Sequence, residues 1–196
     1  YGAPKKKLGD YAETTSGSTP SRGNKLYWQP AEIAWVKTGE VAFAPITATE
    51  EAISKTALTE CSLSLLPPKT ILIAMYGQGK TRGQITELMI DSATNQACAA
   101  ISIYLKDKAL NQFIKKYFQK IYLEIRELAS GGAQPNLNMQ KVKDTMIALP
   151  PLEEQKEIVA TIEKLFTLCN ELESEINQNK ITVNNLMATV IKEAFI

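Results

Sequence analysis

The segment with the clearest chemical pattern runs from Ala74 to Thr81, where the sequence reads A-x-x-x-x-G-K-T directly after a strongly apolar stretch. This differs by one residue from the phosphate-binding loop of nucleotide hydrolases, in which backbone N–H groups wrap the phosphates and the lysine neutralises their charge. That loop must open a helix, but the residues after Gly83 are better explained as a strand over 85–90. The nearest strand-end acid is Asp91, and too little chain precedes it for a crossover helix. Nucleotide hydrolysis is therefore the weaker hypothesis for this segment.

The same loop is also suited to contact DNA. Its backbone amides and Lys80 can hold phosphates, while Arg82 and Gln84 are long enough to reach base edges. A run of turn-forming residues from Thr14 to Asn24 contains hydroxyls and one arginine, which fits either a plain surface turn or a phosphate-facing loop. The predicted DNA-binding residues are Ser18, Thr19, Arg22, Lys37, Gln78, Lys80, Thr81, Arg82, Gln84, Asn95 and Gln134.

Two roles are predicted within this set. Positive charges and hydroxyls bind phosphate oxygens, whereas longer polar side chains read base edges. Phosphate contacts are expected from Lys37, Lys80, Arg82 and the Ser18–Thr19 loop. Base contacts are expected from Gln78, Gln84, Asn95 and Gln134. For Asn95 and Gln134 a second interpretation remains open, in which their amides hydrogen-bond their own turns.

The composition removes several classes of chemistry. The 196-residue chain has no histidine, which excludes Ser-His and Cys-His nucleophilic catalysis and histidine-based metal sites. The three cysteines have no C-x-x-C spacing, so we expect neither a disulfide framework nor a zinc site, and a reducing cytoplasm is the default location. No apolar run approaches the roughly 18 residues of a membrane span. Because the first residue is Tyr1, we expect a chain that has lost its start or was cut from a longer one.

Charge is divided unevenly along the chain. Residues 1–150 hold 18 Lys and Arg against 13 Asp and Glu, a net charge of +5. Residues 151–196 hold 4 against 8, a net charge of −4. A basic body beside an acidic segment indicates a polyanionic partner for the body alone. An excess of this size is common in domains without nucleic-acid partners, so it supports the DNA interpretation only modestly.

The elements that must position these loops form a mixed α/β body. Strands are predicted over 33–37, 70–75, 85–90 and 97–104. Helices are predicted over 48–60, capped by Thr49, and from Asp107 to about Ser130, with Lys115 on a solvated face. Residues 14–24 and 92–96 predict loops. Pro150 and Pro151 form a hinge, so we predict an α+β fold with a globular domain over residues 1–150 and a helical segment over 151–196.

The last quarter of the chain predicts one long helix with a single apolar seam. The seam repeats in alternating steps of four and three residues, a 3.5-residue period that is typical of coiled coils. One narrow stripe requires a partner helix from elsewhere, and the alternative is that the helix folds back on its own domain. Asn179 is polar, and in a two-fold dimer it would set the register by facing its own counterpart. The predicted interface residues are Ile158, Ile162, Leu165, Cys169, Leu172, Ile176, Asn179, Val183, Leu186 and Val190.

Several short motifs, in order along the chain, carry a family resemblance. Together they resemble the specificity subunit of a type I restriction-modification system, and the resemblance covers essentially all of the chain. The most specific motif is L-P-P-L-E-E-Q at the entry to the long helix. The motifs are Gly17–Pro20, Ile71–Met75 with the G-K-T-R-G loop, Asn95–Ala97, Gly132–Leu137, Leu149–Gln155 and Lys192–Phe195.

The resemblance implies that residues 1–150 are a DNA-binding target recognition domain and that residues 151–196 are a conserved-region helix. Family members usually carry two of each, and the helices pair as an antiparallel coiled coil that spaces the domains. Each domain reads one half of a bipartite target in double-stranded DNA. The subunit docks methyltransferase subunits, which use S-adenosylmethionine, and restriction subunits, which use ATP and Mg²⁺. This chain is therefore expected to catalyse no reaction and to bind no cofactor or metal itself.

The chain has half the length that the resemblance leads us to expect. It would then be either a half-subunit that forms a homodimer through its C-terminal helix or one half of a longer parent chain. A homodimer would be two-fold symmetric and would read an inverted-repeat target. Outside this family, the alternatives are the nucleotide-binding protein considered above and a coiled-coil adaptor whose body binds protein.

Overall fold

The computed structural model describes residues 3–77, 80–104, 108–130 and 137–194. Its internal contacts divide the chain into two units, Tyr1–Gln155 and Lys156–Ile196. The predicted α+β class and the long C-terminal helix are confirmed. The strands are β1 Lys5–Lys7, β2 Ala12–Ser16, β3 Ile33–Val36, β4 Glu51–Ile53, β5 Ile71–Ala74, β6 Ile85–Glu87, β7 Ser92–Thr94, β8 Cys98–Ile103 and β9 Met146–Ala148. The helices are α1 Lys55–Glu60, α2 Lys108–Ser130, α3 Met139–Lys143 and α4 Leu152–Ala194.

Two sheets form the centre of the body. The first is antiparallel and has the order β2-β8-β5-β6. All four residues of β5 are buried, so both faces of this inner strand are covered and its sequence is an unbroken apolar run. The second sheet has the order β4-β3-β7, in which β3 runs antiparallel to β4 and parallel to β7. Trp35 and Ile53 of this sheet pack with Ala57 of α1 in one core cluster.

Both sheets end at a common edge. There β2, β3, β5 and β7 end and β4, β6 and β8 begin, as the pairs Ser16–Ala99 and Val36–Thr94 illustrate. The amide of Ser18 donates to the carbonyl oxygen of Thr94 at 3.0 Å and so joins the two sheets at this point. We call this region the loop edge. It comprises residues 17–24, 37–50, 75–77, 80–84 and 95–97.

Three segments differ from the sequence prediction. The predicted loops over 14–24 and 92–96 overlap strands β2 and β7, because pairing with β8 and β3 outweighs their turn-forming composition. Residues 51–53 are strand β4 rather than helix, since they pair with β3. The helix is shorter than predicted, and its cap is Ser54, whose hydroxyl accepts the amide hydrogen of Ala57 at 3.1 Å.

Helix α2 packs against the body through buried residues that include Phe113, Ile114 and Phe118. The prediction of a solvated Lys115 is wrong: its Nζ lies 2.9 Å from Oε2 of Glu87, and the two side chains are 11% and 4% exposed. A buried carboxylate requires a charged partner, which explains why the lysine points inward. Burial alone would raise the pKa of Glu87, but hydrogen bonds from Lys115 and Gln112 together hold that pKa below its usual value.

A third sheet of the body has two strands, β1 and β9, which run antiparallel. Ile147 of β9 is fully buried, and Lys7 of β1 bonds to Asp144 at 2.7 Å. Helix α4 then begins at Leu152, as the hinge predicts, with two glutamates in its first turn where the helix dipole favours them. Its 43 residues extend over about 65 Å.

Candidate nucleic-acid interface

The loop edge holds every described residue that the sequence predicts to contact DNA. The loop after β2 contributes Ser18, Thr19 and Arg22, and Lys37 directly follows β3. Residues 80–84 lie between β5 and β6, and Asn95 lies between β7 and β8. Gln78 and Gln134 lie outside the described residues. Strand pairing therefore brings together loops that are far apart in the sequence.

Arg22 is held against two tryptophans in this region. The carbon at the centre of its guanidinium lies 3.9 Å from the ring centroid of Trp28 and 5.4 Å from that of Trp35. The two indoles meet edge to face, with centroids 5.4 Å apart. Nη1 of Arg22 also donates to a carboxylate oxygen of Glu51. The guanidinium is thus fixed from one face by an aromatic ring and from one edge by a carboxylate.

Lys37 is drawn into the same charge cluster. Its ammonium bonds to Glu50 and lies 3.1 Å from Oε1 of Glu51. These contacts, first with Glu50 and then with Glu51, raise the pKa of Lys37, while Arg22 is the main cause that lowers the pKa of Glu51. Two cations meet two carboxylates here, and the carboxylate of Glu40 accepts from the amides of Lys37 and Glu50 beside them. A phosphate contact by Lys37 would have to displace the carboxylates.

Asn95 is engaged in its own turn. Its Oδ1 accepts from the hydroxyl of Thr38 at 2.8 Å and from the amide of Ala97 at 3.1 Å. This geometry favours the turn-shaping interpretation of Asn95 over base reading. Beside it, the hydroxyl of Thr19 donates to Oε1 of Gln96 at 2.7 Å, which ties the loop after β2 to the turn before β8.

The segment from Lys80 to Gln84 leads into a strand and not into a helix. Strand β6 runs antiparallel to β5, so the helix N-terminus of a phosphate-binding loop is absent at this position in the described chain. The carbonyl oxygen of Lys80 accepts from the hydroxyl of Tyr122 at 2.7 Å, which anchors the loop to α2. The side chain of Lys80 is exposed, whereas Thr81 and Arg82 are half-buried.

Sequence reasoning missed the tryptophans and glutamates that surround Arg22. Trp28 and Trp35 are the two tryptophans of the chain and lie close to Arg22 in sequence, so they were a usable signal. Glu51 carried no such signal, because it lies 29 residues from Arg22 and reaches it only through the pairing of β4 with β3.

The second unit carries the predicted seam as an exposed stripe. Ile158 and Ile162 are half-buried, and the remaining large apolar seam residues are between 49% and 66% exposed. This row of exposed large apolar side chains, interrupted at Cys169 and Asn179, marks a surface for a partner. These exposed residues are Leu165, Leu172, Ile176, Val183, Leu186 and Val190.

Three further properties of the described residues bear on function. No group of three or more metal-ligating side chains in them is placed to hold an ion. Cys61, Cys98 and Cys169 are free thiols, and burial raises the pKa of Cys98. None of the described helices has both the length and the apolar character needed to cross a membrane.

Residues 3–182 match the family model described as the type I restriction modification DNA specificity domain. The chain is 28% identical over 195 residues to the type I restriction enzyme MjaIX specificity subunit of Methanocaldococcus jannaschii. That match covers 97% of this chain and 42% of the relative, so the chain spans about two fifths of the relative's length.

Two solved structures share the fold. The HsdS subunit from Thermoanaerobacter tengcongensis superposes with a TM-score of 0.65 at 17% identity, covering 87% of this chain and 38% of that chain. A chain from a structure of a type I R-M system, concerned with complex assembly and conformational transition, gives 0.70 at 19% identity, covering 93% and 43%. The resemblance seen in the motifs is therefore confirmed by both sequence and fold.

Proposed function

Because the chain belongs to the family of type I restriction-modification DNA specificity domains, we propose that it recognises a short sequence in double-stranded DNA. Cleavage and methylation are left to partner subunits. The observation that carries the proposal is the loop edge, which gathers Arg22, Lys37, Lys80 and Arg82 with several polar side chains at one end of two sheets. Positive groups beside polar groups suit DNA, because phosphate contacts position a protein and base contacts specify the sequence.

The first sheet is comparable in width with a DNA groove. Four strands spaced about 4.8 Å apart set the outer loops of the first sheet roughly 14 Å apart, close to the ~12 Å width of the major groove. Lys80 is exposed on the loop between β5 and β6 and is suited to a phosphate. Gln84, immediately before β6, is the described glutamine best suited to a base edge.

In this proposal the body reads one half of a bipartite target. Helix α4 acts as the spacer and docks methyltransferase and restriction subunits. Those subunits use S-adenosylmethionine, ATP and Mg²⁺, so this chain needs no cofactor of its own. The net charge of −4 on residues 151–196 repels DNA and leaves the helix for protein contacts. A cytoplasmic location follows from the partners and stays a prediction.

Selection from a pool of random duplexes, with methyltransferase subunits present, tests the DNA proposal. The chain should recover one motif. Lys80→Ala should weaken binding to all sequences and lower the salt slope by about one while the motif persists. Lys55→Ala is the matched control, because Lys55 is also exposed but pairs with Glu32 away from the loop edge. Recovery of no motif would favour the protein-binding adaptor, and ATP hydrolysis that Lys80→Ala abolishes would favour the nucleotide-binding hypothesis.

The seam of α4 supports the second part of the proposal, antiparallel pairing with another helix. Its positions are distributed symmetrically about residue 174. In an antiparallel pair of two copies centred there, each seam residue of one copy would face one seam residue of the other, and each such pair forms a layer. All layers but one are apolar, and the exception pairs Asn179 with Cys169. The apolar layers are Leu172 with Ile176, Leu165 with Val183, Ile162 with Leu186 and Ile158 with Val190.

The register in which Asn179 faces itself is less favourable. It would set Val183 opposite Glu175 and Ile176 opposite Thr182, which exposes apolar surface to polar groups. The register centred on residue 174 is therefore the one that we propose for a homodimer. The same stripe would accept a second helix of this kind in a longer parent chain.

Disulfide trapping separates the two registers. With Cys169 retained, Asn179→Cys should form a disulfide between Cys169 of one copy and the new thiol of the other. Asn179→Cys combined with Cys169→Ser should form a crosslink only if position 179 faces itself. A chain that stays monomeric by light scattering contradicts the homodimer; the seam would then pack on the chain's own body or pair with a helix of a longer chain.

A further inference from the structure

We propose that Arg22 reads a guanine in the DNA target and that Glu51 is the residue that positions it. This inference rests on the proposed function and assigns Arg22 to a base edge rather than to a phosphate. It follows from how the guanidinium is held, how the loop that carries it is held, and how its charge is balanced.

The guanidinium of Arg22 is fixed in place and still accessible. Trp28 covers one face at 3.9 Å, and Trp28 in turn packs edge to face on Trp35, which is 2% exposed and belongs to the core. The side chain of Arg22 nevertheless remains 56% exposed. A planar donor group that is ordered by a buried aromatic pair and open to solvent is preorganised for a directional contact.

The loop that carries Arg22 is fixed by the same two indoles. Nε1 of Trp28 donates to the carbonyl oxygen of Ser21 at 3.1 Å, and Nε1 of Trp35 donates to that of Ser18 at 3.2 Å. Both carbonyls precede Arg22 by four residues or fewer. These two hydrogen bonds fix the position of the backbone next to Arg22. A contact with a base edge requires a side chain held in a fixed position, whereas attraction to a phosphate does not.

The charge of Arg22 is already balanced before DNA arrives. Glu51 accepts a hydrogen bond from it, is 27% exposed, and has its pKa lowered chiefly by Arg22, so the carboxylate is ionised at neutral pH. A neutral pair adds little to the attraction of phosphates. Only part of the five N–H donors of Arg22 is used by Glu51, and the remainder can donate to a base.

Guanine is the base that fits these donors. In the major groove it presents two acceptors side by side, O6 and N7, and bidentate donation from arginine to this pair is the commonest specific contact. The other three bases each present at most one acceptor to such a fork. Glu51 also lies 3.1 Å from the ammonium of Lys37, which bonds to Glu50 as well, so these carboxylates restrain both cations and weaken the attraction to DNA that does not depend on sequence.

The test repeats the random-duplex selection with three variants, in the presence of methyltransferase subunits. Arg22→Lys keeps the positive charge and removes the fork. Glu51→Gln keeps the shape and removes the carboxylate charge. Glu32→Gln is the matched control, because Glu32 also forms an ion pair, with Lys55 at 3.0 Å, at the opposite end of the β3–β4 pair. Thermal unfolding is recorded for each variant.

Arg22→Lys should lose the preference for guanine at one position by on the order of tenfold, with the other positions retained. Glu51→Gln should bind non-specific DNA more tightly, with a salt slope steeper by about one, and should show a weaker guanine preference. Glu32→Gln should change neither property.

A wild-type motif that Arg22→Lys leaves unchanged overturns this inference and leaves the proposed function standing. A uniform weakening of all positions together with a lower melting temperature assigns Arg22 a purely structural role and also overturns it. A wild-type chain that recovers no motif overturns the proposed function itself.

Discussion

Replacing Lys115 with methionine removes the cation that neutralises a buried carboxylate beneath α2. Glu87 would retain Gln112 at 3.0 Å and Lys69 at 3.6 Å, but the side chain of Lys69 is 55% exposed and neutralises it less well. Breaking a buried ion pair by removing one partner costs about 3–5 kcal/mol. Because Lys69 offsets part of the loss, we expect a cost near ~3 kcal/mol. For a domain of this size that corresponds to a fall of about 6–12 °C in melting temperature.

The pH dependence of Lys115→Met gives a second, independent check. In the wild type the pKa of Glu87 is lowered, so its stabilising contribution is present above the unfolded pKa and is lost as the pH falls through the folded pKa. Without Lys115, burial dominates and raises that pKa above its usual value. The variant then gains stability as the pH falls, and its deficit relative to wild type should shrink between about pH 7 and pH 4.

Both expectations are tested by measuring melting temperatures over this pH range. The proteins compared are the wild type, Lys115→Met and the double variant Glu87→Gln/Lys115→Met. The double variant should recover most of the loss, because no buried charge then lacks a partner. Lys120→Met, an exposed lysine of the same helix, is the control and should change stability by less than about 0.5 kcal/mol. The reasoning is refuted if Lys115→Met costs no more than the control, or if its deficit grows as the pH is lowered.

Three further predictions concern the loop edge and the seam. Gly17→Ala would set a methyl group 1.6 Å from the carbonyl oxygen of Thr94 and should lower the free energy of unfolding by about 3 kcal/mol, measured by urea denaturation. Gly39→Ala, with no atom within 4 Å, should have little effect. Asn95→Ala should cost about 2 kcal/mol by the same assay yet leave the selected DNA motif unchanged, since its amide oxygen serves its own turn. Leu172→Glu should abolish self-association in light scattering without changing the melting of the body; persistence of a dimer would contradict the seam.

Much of the fold was predictable where the pattern is local. The buried β5, the helix over 108–130 and the long α4 follow from apolar runs and helical periodicity, which need no knowledge of distant partners. Strands β2 and β7 were not predictable in this way. Threonine suits a strand, but the serine residues and the adjoining Gly17, Pro20 and Asn95 favour turns when considered alone. Only pairing with β8 and β3 decides for strands.

The residues of the candidate site also differ in whether local sequence could identify them. Lys80 and Arg82 could be identified from composition, because a basic glycine-containing loop after a buried strand is a local feature. The hydrogen bond from Thr38 to Asn95 could not be predicted from the sequence, since 57 residues separate the two. Likewise, the inward orientation of Lys115 depends on a carboxylate 28 residues earlier in the chain.

Sequence alone therefore determined the family, the basic body, the acidic helix and the heptad seam, because motifs, charge and periodicity are properties of neighbouring residues. Tertiary structure decided that four separate loops share one edge and that Arg22, Trp28 and Glu51 form one cluster. The physical reason is that strand pairing determines which strand ends, and therefore which loops, lie next to one another. A contact between Arg22 and Glu51 exists only because β4 begins where the loop after β2 lies, and no local pattern encodes that coincidence.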